Sequence, residues 1–216
     1  IGIRSIEFRG ADGLYINGKP FGDKLMGVNR HQDYAYIGNA VPNNLHWLDV
    51  KKMRDAGFRI IRSAHYPQDP AFMDACDELG MFIIVATPGW QYWNPEPVFE
   101  ERILSDIRNM VRRDRNHPSV LLWEPVLNET AFPESFAQNA YRATHEEYPA
   151  PGCYAAIDDK SKGAMGYDVV YTAPKNEAFY RNAGKSCFTR EYGDCVDDWN
   201  SHNSYSRVAR EWGEEP

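Results

Sequence analysis

The chain contains the stretch Asn116-His117-Pro118-Ser119-Val120-Leu121-Leu122-Trp123, which ends in an apolar run typical of a buried β-strand. Asn128-Glu129 follows after the four residues Glu124-Pro125-Val126-Leu127, and Glu191 closes a second apolar run of the same kind much further along the chain. The segments between the two carboxylates alternate strand and helix patterns. In a (β/α) barrel the strand ends gather at one face, so carboxylates far apart in sequence can meet there.

Working outward from this stretch, the pattern predicts seven strands. They cover residues 24–29, 58–63, 81–86, 119–123, 152–157, 169–172 and 188–191. Helices are predicted from an N-cap at Asn43/Asn44 to Gly57 and from an N-cap at Asp69, with Pro70 at the first position, to Gly80. A longer helix is predicted over 98–114, where Ile103, Ile107, Met110 and Val111 form one apolar stripe, and another over 134–147. Strand and helix in alternation indicate an α/β fold, here a (β/α)8 TIM barrel. After Glu191 only Trp199–Trp212 has a pattern, and it is helical, so the barrel is predicted to be truncated near strands seven and eight.

A separate hairpin is predicted at the start, over residues 5–22, because Asn17-Gly18 lies between two apolar runs. We therefore divide the chain into 1–22, a hairpin that leads into the domain, and 23–216, the incomplete barrel. The first residues, Ile1-Gly2-Ile3-Arg4, include neither an initiator Met nor the apolar core of a signal peptide. This predicts a processed chain or an excised piece.

Composition excludes some classes of function. The 216 residues are 43% hydrophobic and 25% charged, which is typical of one globular domain with a sizeable core. The net charge of −7 gives no reason to expect nucleic acid or an anionic membrane as a partner. No run of 18 apolar residues is present, so no membrane span is predicted.

Cofactor and metal motifs are missing from the sequence. There is no HExxH, no four-cysteine zinc pattern, no Gly-rich phosphate loop and no GxSxG, so no cofactor and no metal are predicted. The four cysteines, Cys76, Cys153, Cys187 and Cys195, lack metal-like spacing. Buried free thiols are the favoured interpretation, and a Cys187–Cys195 disulfide is the alternative.

Two carboxyl groups, one protonated and one ionised, are the chemical minimum for cleaving a glycosidic bond. Glu191 is the candidate for the ionised group, because a neighbouring Arg or Tyr hydroxyl would favour that form. The alternative is that Glu191 forms a structural ion pair. For the protonated group, position alone divides the choice evenly between Glu124 and Glu129. Asn128 is placed to donate a hydrogen bond to a sugar hydroxyl beside the anomeric carbon.

Other polar residues follow the early strands. His31 follows strand one, and a structural hydrogen bond is the alternative to a substrate contact there. Arg62 and His65 close strand two, where an arginine can hold a carboxylate ionised or simply form a salt bridge at the rim. Aromatic residues reach 13%, and rings cover the C–H faces of sugars well, although most of them fill cores. The predicted substrate-binding aromatics are Trp90, Trp93, Trp123 and Tyr171.

Seven motifs in this order resemble the catalytic barrel of glycoside hydrolase family 2, which includes β-galactosidases, β-glucuronidases and β-mannosidases. They are Asn17-Gly18-Lys19-Pro20, Gly27-Val28-Asn29-Arg30-His31, Arg62-Ser63-Ala64-His65-Tyr66-Pro67, Cys76-Asp77-Glu78-Leu79-Gly80, Asn116-His117-Pro118-Ser119, Asn128-Glu129 and Glu191-Tyr192-Gly193. The resemblance implies a retaining β-glycosidase with Glu129 as acid/base and Glu191 as nucleophile, and so decides against Glu124. A β-galactosidase acting on oligo- or polysaccharide is the favoured function. The alternatives are a β-glucuronidase, a β-mannosidase and a non-catalytic carbohydrate-binding barrel.

The resemblance also has implications beyond the site. It implies a fragment of a larger enzyme, with β-sandwich domains as missing partners. A homo-oligomer and a periplasmic or secreted location are both compatible with such an enzyme, but the sequence assigns neither. Two departures from the family pattern stand out. Val85–Trp90 holds no carboxylate where many of the β-galactosidases place one near magnesium, and the segment from Trp123 to Asn128 is one residue longer. The stretches Thr87–Asn94 and Trp123–Glu129 are similar to those of members linked to red-algal galactans.

Overall fold

Parallel strands dominate the computed structural model of the chain, which describes residues 3–22, 24–173 and 176–191. Four of them form one parallel sheet in the order β4 (Gly27–Arg30), β5 (Ile60–Ser63), β6 (Phe82–Ala86) and β7 (Val120–Glu124). Three more, β8 (Ala156–Asp158), β9 (Val169–Tyr171) and β10 (Ser186–Phe188), form a second parallel sheet. A parallel bridge between Trp123 and Ala155 joins the two sheets. The described residues therefore contain seven barrel strands, as predicted.

The helices follow the strands in alternation. Their bounds are α1 Asn43–Asp55, α2 Pro70–Leu79, α3 Pro97–Asp114, α4 Glu134–Glu147 and α5 Glu177–Asn182. The predicted cap of α2 is confirmed, because the Asp69 side chain accepts a hydrogen bond from the Ala71 amide at 2.8 Å and Gly80 ends the helix in the left-handed conformation. The cap predicted for α1 is wrong: Asn43 and Asn44 are already helical, and Pro42 stands at the cap position without a side-chain bond.

Some boundaries differ from the predicted ones. Helix α5 was not predicted, because a segment of two turns is too short for a clear apolar stripe. Between β8 and β9 there is only a short 3-10 turn, Ala164–Gly166. Strand β10 ends at Phe188, so Glu191 lies in the loop beyond it rather than in the strand. The helix predicted over Trp199–Trp212 lies outside the described residues.

Alternation along the strands divides the core into two layers. Ile61, Val85 and Trp123 point outward and pack with Val50 of α1 and Phe72 of α2. Their neighbours Ile60, Ile84 and Leu122 point inward, where they pack with Ala156 of β8 and Val169 of β9. Because side chains alternate between the faces of a strand, Arg62, Glu124 and Tyr171 also lie on the inner face, close to the carboxyl ends.

The first residues cover the amino ends of the barrel strands. The strands β1 (Ile6–Phe8), β2 (Leu14–Ile16) and β3 (Lys19–Pro20) form an antiparallel sheet, and Asn17 and Gly18 make its tight turn with φ of 52° and 72°. Ile6 is buried against the inner layer. The guanidinium of Arg4 donates to the carbonyls of Pro118 and Val120. In the described part of the chain, the hairpin therefore covers the amino end of the barrel.

Two of the seven motifs that carry the family resemblance, Cys76–Gly80 and Asn116–Ser119, stabilise the amino end of β7. His117 Nδ1 lies 2.7 Å from Asp77 Oδ2, and the Ser119 amide donates to Asp77 Oδ1 at 2.9 Å. Asp77 belongs to α2, so this contact fixes the helix against the start of the strand. These motifs therefore support the fold rather than the chemistry.

The described thiols are mostly internal. Cys76 and Cys153 are buried and free, and burial raises the pKa of the Cys153 thiol to about 12. Cys187 is half-buried and also free, which agrees with the favoured interpretation of free thiols rather than with the alternative Cys187–Cys195 disulfide. Cys195 itself lies outside the described residues. No helix in the described part of the chain is long and apolar enough to cross a membrane.

Candidate active site

Arg62 is the central group at the carboxyl end of the barrel. Its side chain is 3% exposed, and its Nε donates to Glu124 Oε2 at 2.7 Å while Nη2 contacts the other oxygen of that carboxylate. Nη1 donates to Glu191 Oε1 at 2.9 Å and to Asn29 Oδ1 at 3.2 Å, and Nη2 also reaches Asn128 Oδ1 at 3.1 Å. Burial works against the charged form, but Glu124 and then Glu191 raise the pKa of Arg62 above its ordinary value. One buried cation therefore connects strands β4, β5 and β7 with the Glu191 loop.

Arg190 is a second cation on the same groups. Its Nη1 donates to Glu191 Oε1 at 2.8 Å and also to Asn128 Oδ1. Its Nε and Nη2 donate to Asp158 Oδ2 at the end of β8, at 3.1 and 2.7 Å. Glu191 Oε1 thus accepts from two guanidinium groups, and among the described residues no donor is bonded to Oε2. The loop after β10 is fixed to the barrel through Arg190.

The two arginines also orient Asn128. Because both donate to Oδ1, the amide nitrogen Nδ2 is turned the other way, and it lies 3.5 Å from His65 Nε2. Burial first, and then the nearby charge of Arg62, lower the pKa of His65 to about 4. His65 is consequently neutral at neutral pH, and its Nε2 is the acceptor that faces the Asn128 amide nitrogen.

Glu129 lies at the open edge of this cluster. It is exposed, and Gln91 Nε2 donates to its Oε2 at 2.8 Å. With Glu124, Asn128 and Tyr171 it lines a cleft of about 660 Å³. Glu124, by contrast, is 2% exposed and gives both oxygens to Arg62. On geometry, Glu129 is the carboxylate of this pair that a ligand can reach.

Three of the predicted substrate-binding rings form a row beside the cluster. His31 and His65 meet edge to face with ring centroids 5.3 Å apart, and His65 and Trp90 have centroids 5.9 Å apart. Trp90 is 49% exposed and His31 is exposed as well, so two rings of the row are open to a ligand. An exposed indole beside polar groups is suited to the C–H face of a sugar.

The other three predicted aromatics are placed differently. Trp123 is 1% exposed and points at the helices, one residue out of phase with Glu124, so its ring cannot contact a ligand and the prediction for it was wrong. Trp93 packs on Phe99 and Phe136, with centroids 5.4 and 4.8 Å apart. Tyr171 is 2% exposed near Glu124, and burial and then Glu124 raise the pKa of its hydroxyl. Tyr171 forms the floor of the cleft.

Sequence reasoning did not single out Asn29, Asp158 or Gln91. The first two are polar residues at or near the ends of predicted strands, a signal that could have found them. Gln91 gave no such signal, because its role depends on a contact between two loops. In the described residues, no three His, Cys, Asp or Glu side chains are grouped to hold a metal ion.

The fold and the site define a class. The chain is a (β/α) barrel with a cluster of acids, arginines and an asparagine at the carboxyl ends of its strands, the location of active sites in barrel enzymes. Residues 6–150 match the model of the TIM barrel domain of the glycosyl hydrolases family 2. The chain belongs to this family of glycoside hydrolases.

Curated relatives agree with the family. The chain is 38% identical over 150 residues to a β-galactosidase of Thermoanaerobacterium thermosulfurigenes, covering 68% of this chain and 20% of the relative. It is 36% identical over 146 residues to a β-galactosidase of Thermoanaerobacter pseudethanolicus, covering 67% and 19%. The chain thus spans about a fifth of the length of these relatives.

Solved structures give the same fold. A β-glycosidase from Bacteroides vulgatus superposes with a TM-score of 0.70 at 28% identity, covering 88% of this chain and 25% of that one. A β-glucuronidase from Bacteroides uniformis superposes with a TM-score of 0.67 at 28% identity, covering 78% and 22%. The predicted TIM barrel fold and the predicted family are confirmed.

Proposed function

We propose that this chain is the catalytic barrel of a retaining β-glycosidase that releases β-galactosyl residues from oligo- or polysaccharides. One observation carries the proposal: Arg62 and Arg190 together hold Glu191 and Asn128, and Glu129 is the next residue in the chain. The names of the two curated relatives support the choice of galactose. Two carboxyl groups and a hydrogen-bond donor such as the Asn128 amide are the groups that cleavage of a glycosidic bond requires.

In the first step, Glu191 attacks the anomeric carbon while Glu129 gives its proton to the leaving oxygen. The arginines occupy Oε1 of Glu191, which leaves Oε2 to form the bond to carbon. Asn128 Nδ2 donates to the hydroxyl beside the anomeric carbon, and this bond strengthens as positive charge develops on the sugar ring. The row of His31, His65 and Trp90 holds the sugar over the cluster.

In the second step, Glu129 takes a proton from water, and the oxygen of that water attacks the same carbon. The bond to Glu191 breaks and the carboxylate is restored. Two inversions at one carbon give net retention of configuration.

Trapping with an activated 2-fluoro galactoside tests the nucleophile. The reagent should inactivate the full-length protein with a single label, and peptide mass spectrometry should place that label on Glu191. A label on Glu124 or Asp158 would show that the assignment is wrong. Product NMR adds a test of stereochemistry: the first product formed should be the β-anomer, and the α-anomer would rule out retention.

A second candidate is a β-glucuronidase, because the superposed Bacteroides uniformis structure carries that name. A panel of aryl β-galactoside, β-glucuronide and β-mannoside substrates distinguishes the possibilities, and we expect the galactoside to have the highest kcat/KM. A non-catalytic carbohydrate-binding barrel would turn over none of them and would bind sugar unchanged when Glu129 is replaced by Gln.

A further inference from the structure

Two loops meet at the acid/base candidate. The loop after β6 and the loop after β7 are joined by the Gln91 amide, which donates to the Asn128 carbonyl at 3.0 Å, and by the Asn128 amide, which donates to the Gly89 carbonyl at 3.3 Å. Gly89 has a φ of 125°, and a Cβ there would lie 3.1 Å from Leu127 Cδ2. A glycine therefore allows this close approach of the loops.

Both residues at the meeting point have an uncommon backbone conformation. Gln91 has a φ of 56° and Glu129 a φ of 47°, values that non-glycine residues seldom adopt. Residues in this region cost free energy and concentrate at functional sites. Here the two conformations place the side chains against each other, so that Gln91 Nε2 donates to Glu129 Oε2 at 2.8 Å.

We propose that Gln91 is the positioning residue of the acid/base Glu129, an inference that rests on the proposed function above. An amide nitrogen only donates hydrogen bonds, so the oxygen it contacts must act as the acceptor. Oε2 is then the carbonyl oxygen of the protonated Glu129, and the proton resides on Oε1. Gln91 thus selects which oxygen of Glu129 exchanges protons with the substrate.

One arrangement serves both steps of the reaction. In the first step the proton moves from Oε1 to the leaving oxygen, the glycosidic bond breaks, and Glu129 becomes a carboxylate. In the second step Oε1 takes a proton from water as the oxygen of that water binds the anomeric carbon. Throughout, the neutral amide of Gln91 can donate to Oε2, because both forms of the carboxyl group accept a bond there.

The position of Gln91 along the chain adds a second consequence. Trp90, the preceding residue, is an exposed ring that contacts His65, so one loop carries both the proposed sugar platform and the orienting amide. A sugar stacked on Trp90 is thereby held at a fixed distance from Glu129. Correct geometry between proton donor and leaving oxygen is what general acid catalysis requires.

Leaving-group dependence tests the proposal. Gln91→Leu removes the donor and keeps the approximate size, and kcat/KM is measured with 2,4-dinitrophenyl, 4-nitrophenyl and phenyl β-galactosides. A dinitrophenolate leaves without protonation, whereas a phenolate needs the acid. We expect about a 10-fold loss with the phenyl substrate, a part of the about 100-fold or more that general acid catalysis supplies, and little loss with the dinitrophenyl one.

Three further variants make the result decisive. Gln138→Leu makes the same change on the exposed face of α4 and should alter no substrate. Gln91→Met also lacks a hydrogen-bond donor and keeps an unbranched, uncharged side chain of similar length, so it should show the Leu pattern even if Leu disturbs the loop. Glu129→Ala should show a stronger dependence of kcat/KM on the leaving group, and azide should restore its kcat with the dinitrophenyl substrate.

The outcomes separate the two proposals. An equal loss on all substrates, or no loss on any, in both Gln91 variants would overturn the positioning role. If Glu129→Ala itself lacked leaving-group dependence, the acid/base assignment would be wrong, and the role of Gln91 would fail with it.

Discussion

The buried pair of Arg62 and Glu124 should dominate the stability of the site. Both side chains are 3% exposed, and the guanidinium contacts both carboxylate oxygens. Removing one partner of a buried pair leaves the other charge uncompensated, at a cost of about 3–5 kcal/mol. In Glu124→Gln, Arg62 keeps Glu191 at 2.9 Å as a second carboxylate, so we expect the lower end, about 3 kcal/mol.

The reverse replacement should cost more. Arg62→Met leaves Glu124 buried without a cation in contact, because Arg190 bonds Asp158, Asn128 and Glu191 instead. We expect about 5 kcal/mol for this variant. The two replacements should therefore lower the free energy of unfolding by different amounts, although both break the same ion pair.

Urea unfolding of the 216-residue chain, followed by tryptophan fluorescence, measures these costs. With a slope of about 2 kcal/mol/M, a loss of about 3 kcal/mol lowers the midpoint by about 1.5 M. Asp55→Asn is the control, because it removes the carboxylate of an exposed i,i+4 pair with Lys51 and should cost less than about 0.5 kcal/mol. A Glu124→Gln midpoint equal to the control value would refute the argument.

Three further predictions concern single residues. The pKa of His65 is lowered to about 4 in the folded chain against about 6.5 in the unfolded chain, so the unfolded state binds more protons between pH 4 and 6.5. The free energy of unfolding should therefore fall by about 2 kcal/mol as pH drops from about 6.5 to 4. Acid titration of His65→Gln should show a smaller loss of stability over the same range. Gly27→Ala should lower the melting temperature, with a cost of about 2 kcal/mol, because the added Cβ would collide with the carbonyl of Ile60. Trp90→Ala should raise the KM of an aryl galactoside by about 10-fold with a smaller change in kcat, because the exposed ring stacks equally on the ground state and the transition state. Steady-state kinetics of the variant measure both constants.

Local patterns are sufficient to predict most of the fold. The stripe of α3, the cap at Asp69 and the turn at Asn17-Gly18 all involve residues close together in sequence, and each is found where it was expected. Each boundary that was missed lacks a local signal. Helix α5 is one such case, and the end of β10 at Phe188 depends on pairing with β9 rather than on the apolar run itself.

The site was predictable only in part, because a residue's place in a strand is local while its partner is not. Counting from Glu124 would have shown that Trp123 faces the helices, since adjacent residues point to opposite faces. No count along the chain shows that Arg190 reaches Asn128 and Asp158, because that contact requires β7, β8 and β10 to be in register. Gln91 is the extreme case, as it depends on two loops meeting.

The arrangement of charges separates fixed anions from the group that moves a proton. Two arginines contact three carboxylates, those of Glu124, Asp158 and Glu191, so this cluster carries a net charge of −1 when all five groups are ionised. Within the described residues neither arginine contacts Glu129, which is bonded by the neutral amide of Gln91. A cation on an acid/base group would hold it in one form, whereas a neutral donor allows both. The site therefore places two cations on the proposed nucleophile Glu191 and a neutral donor on the proposed acid/base Glu129.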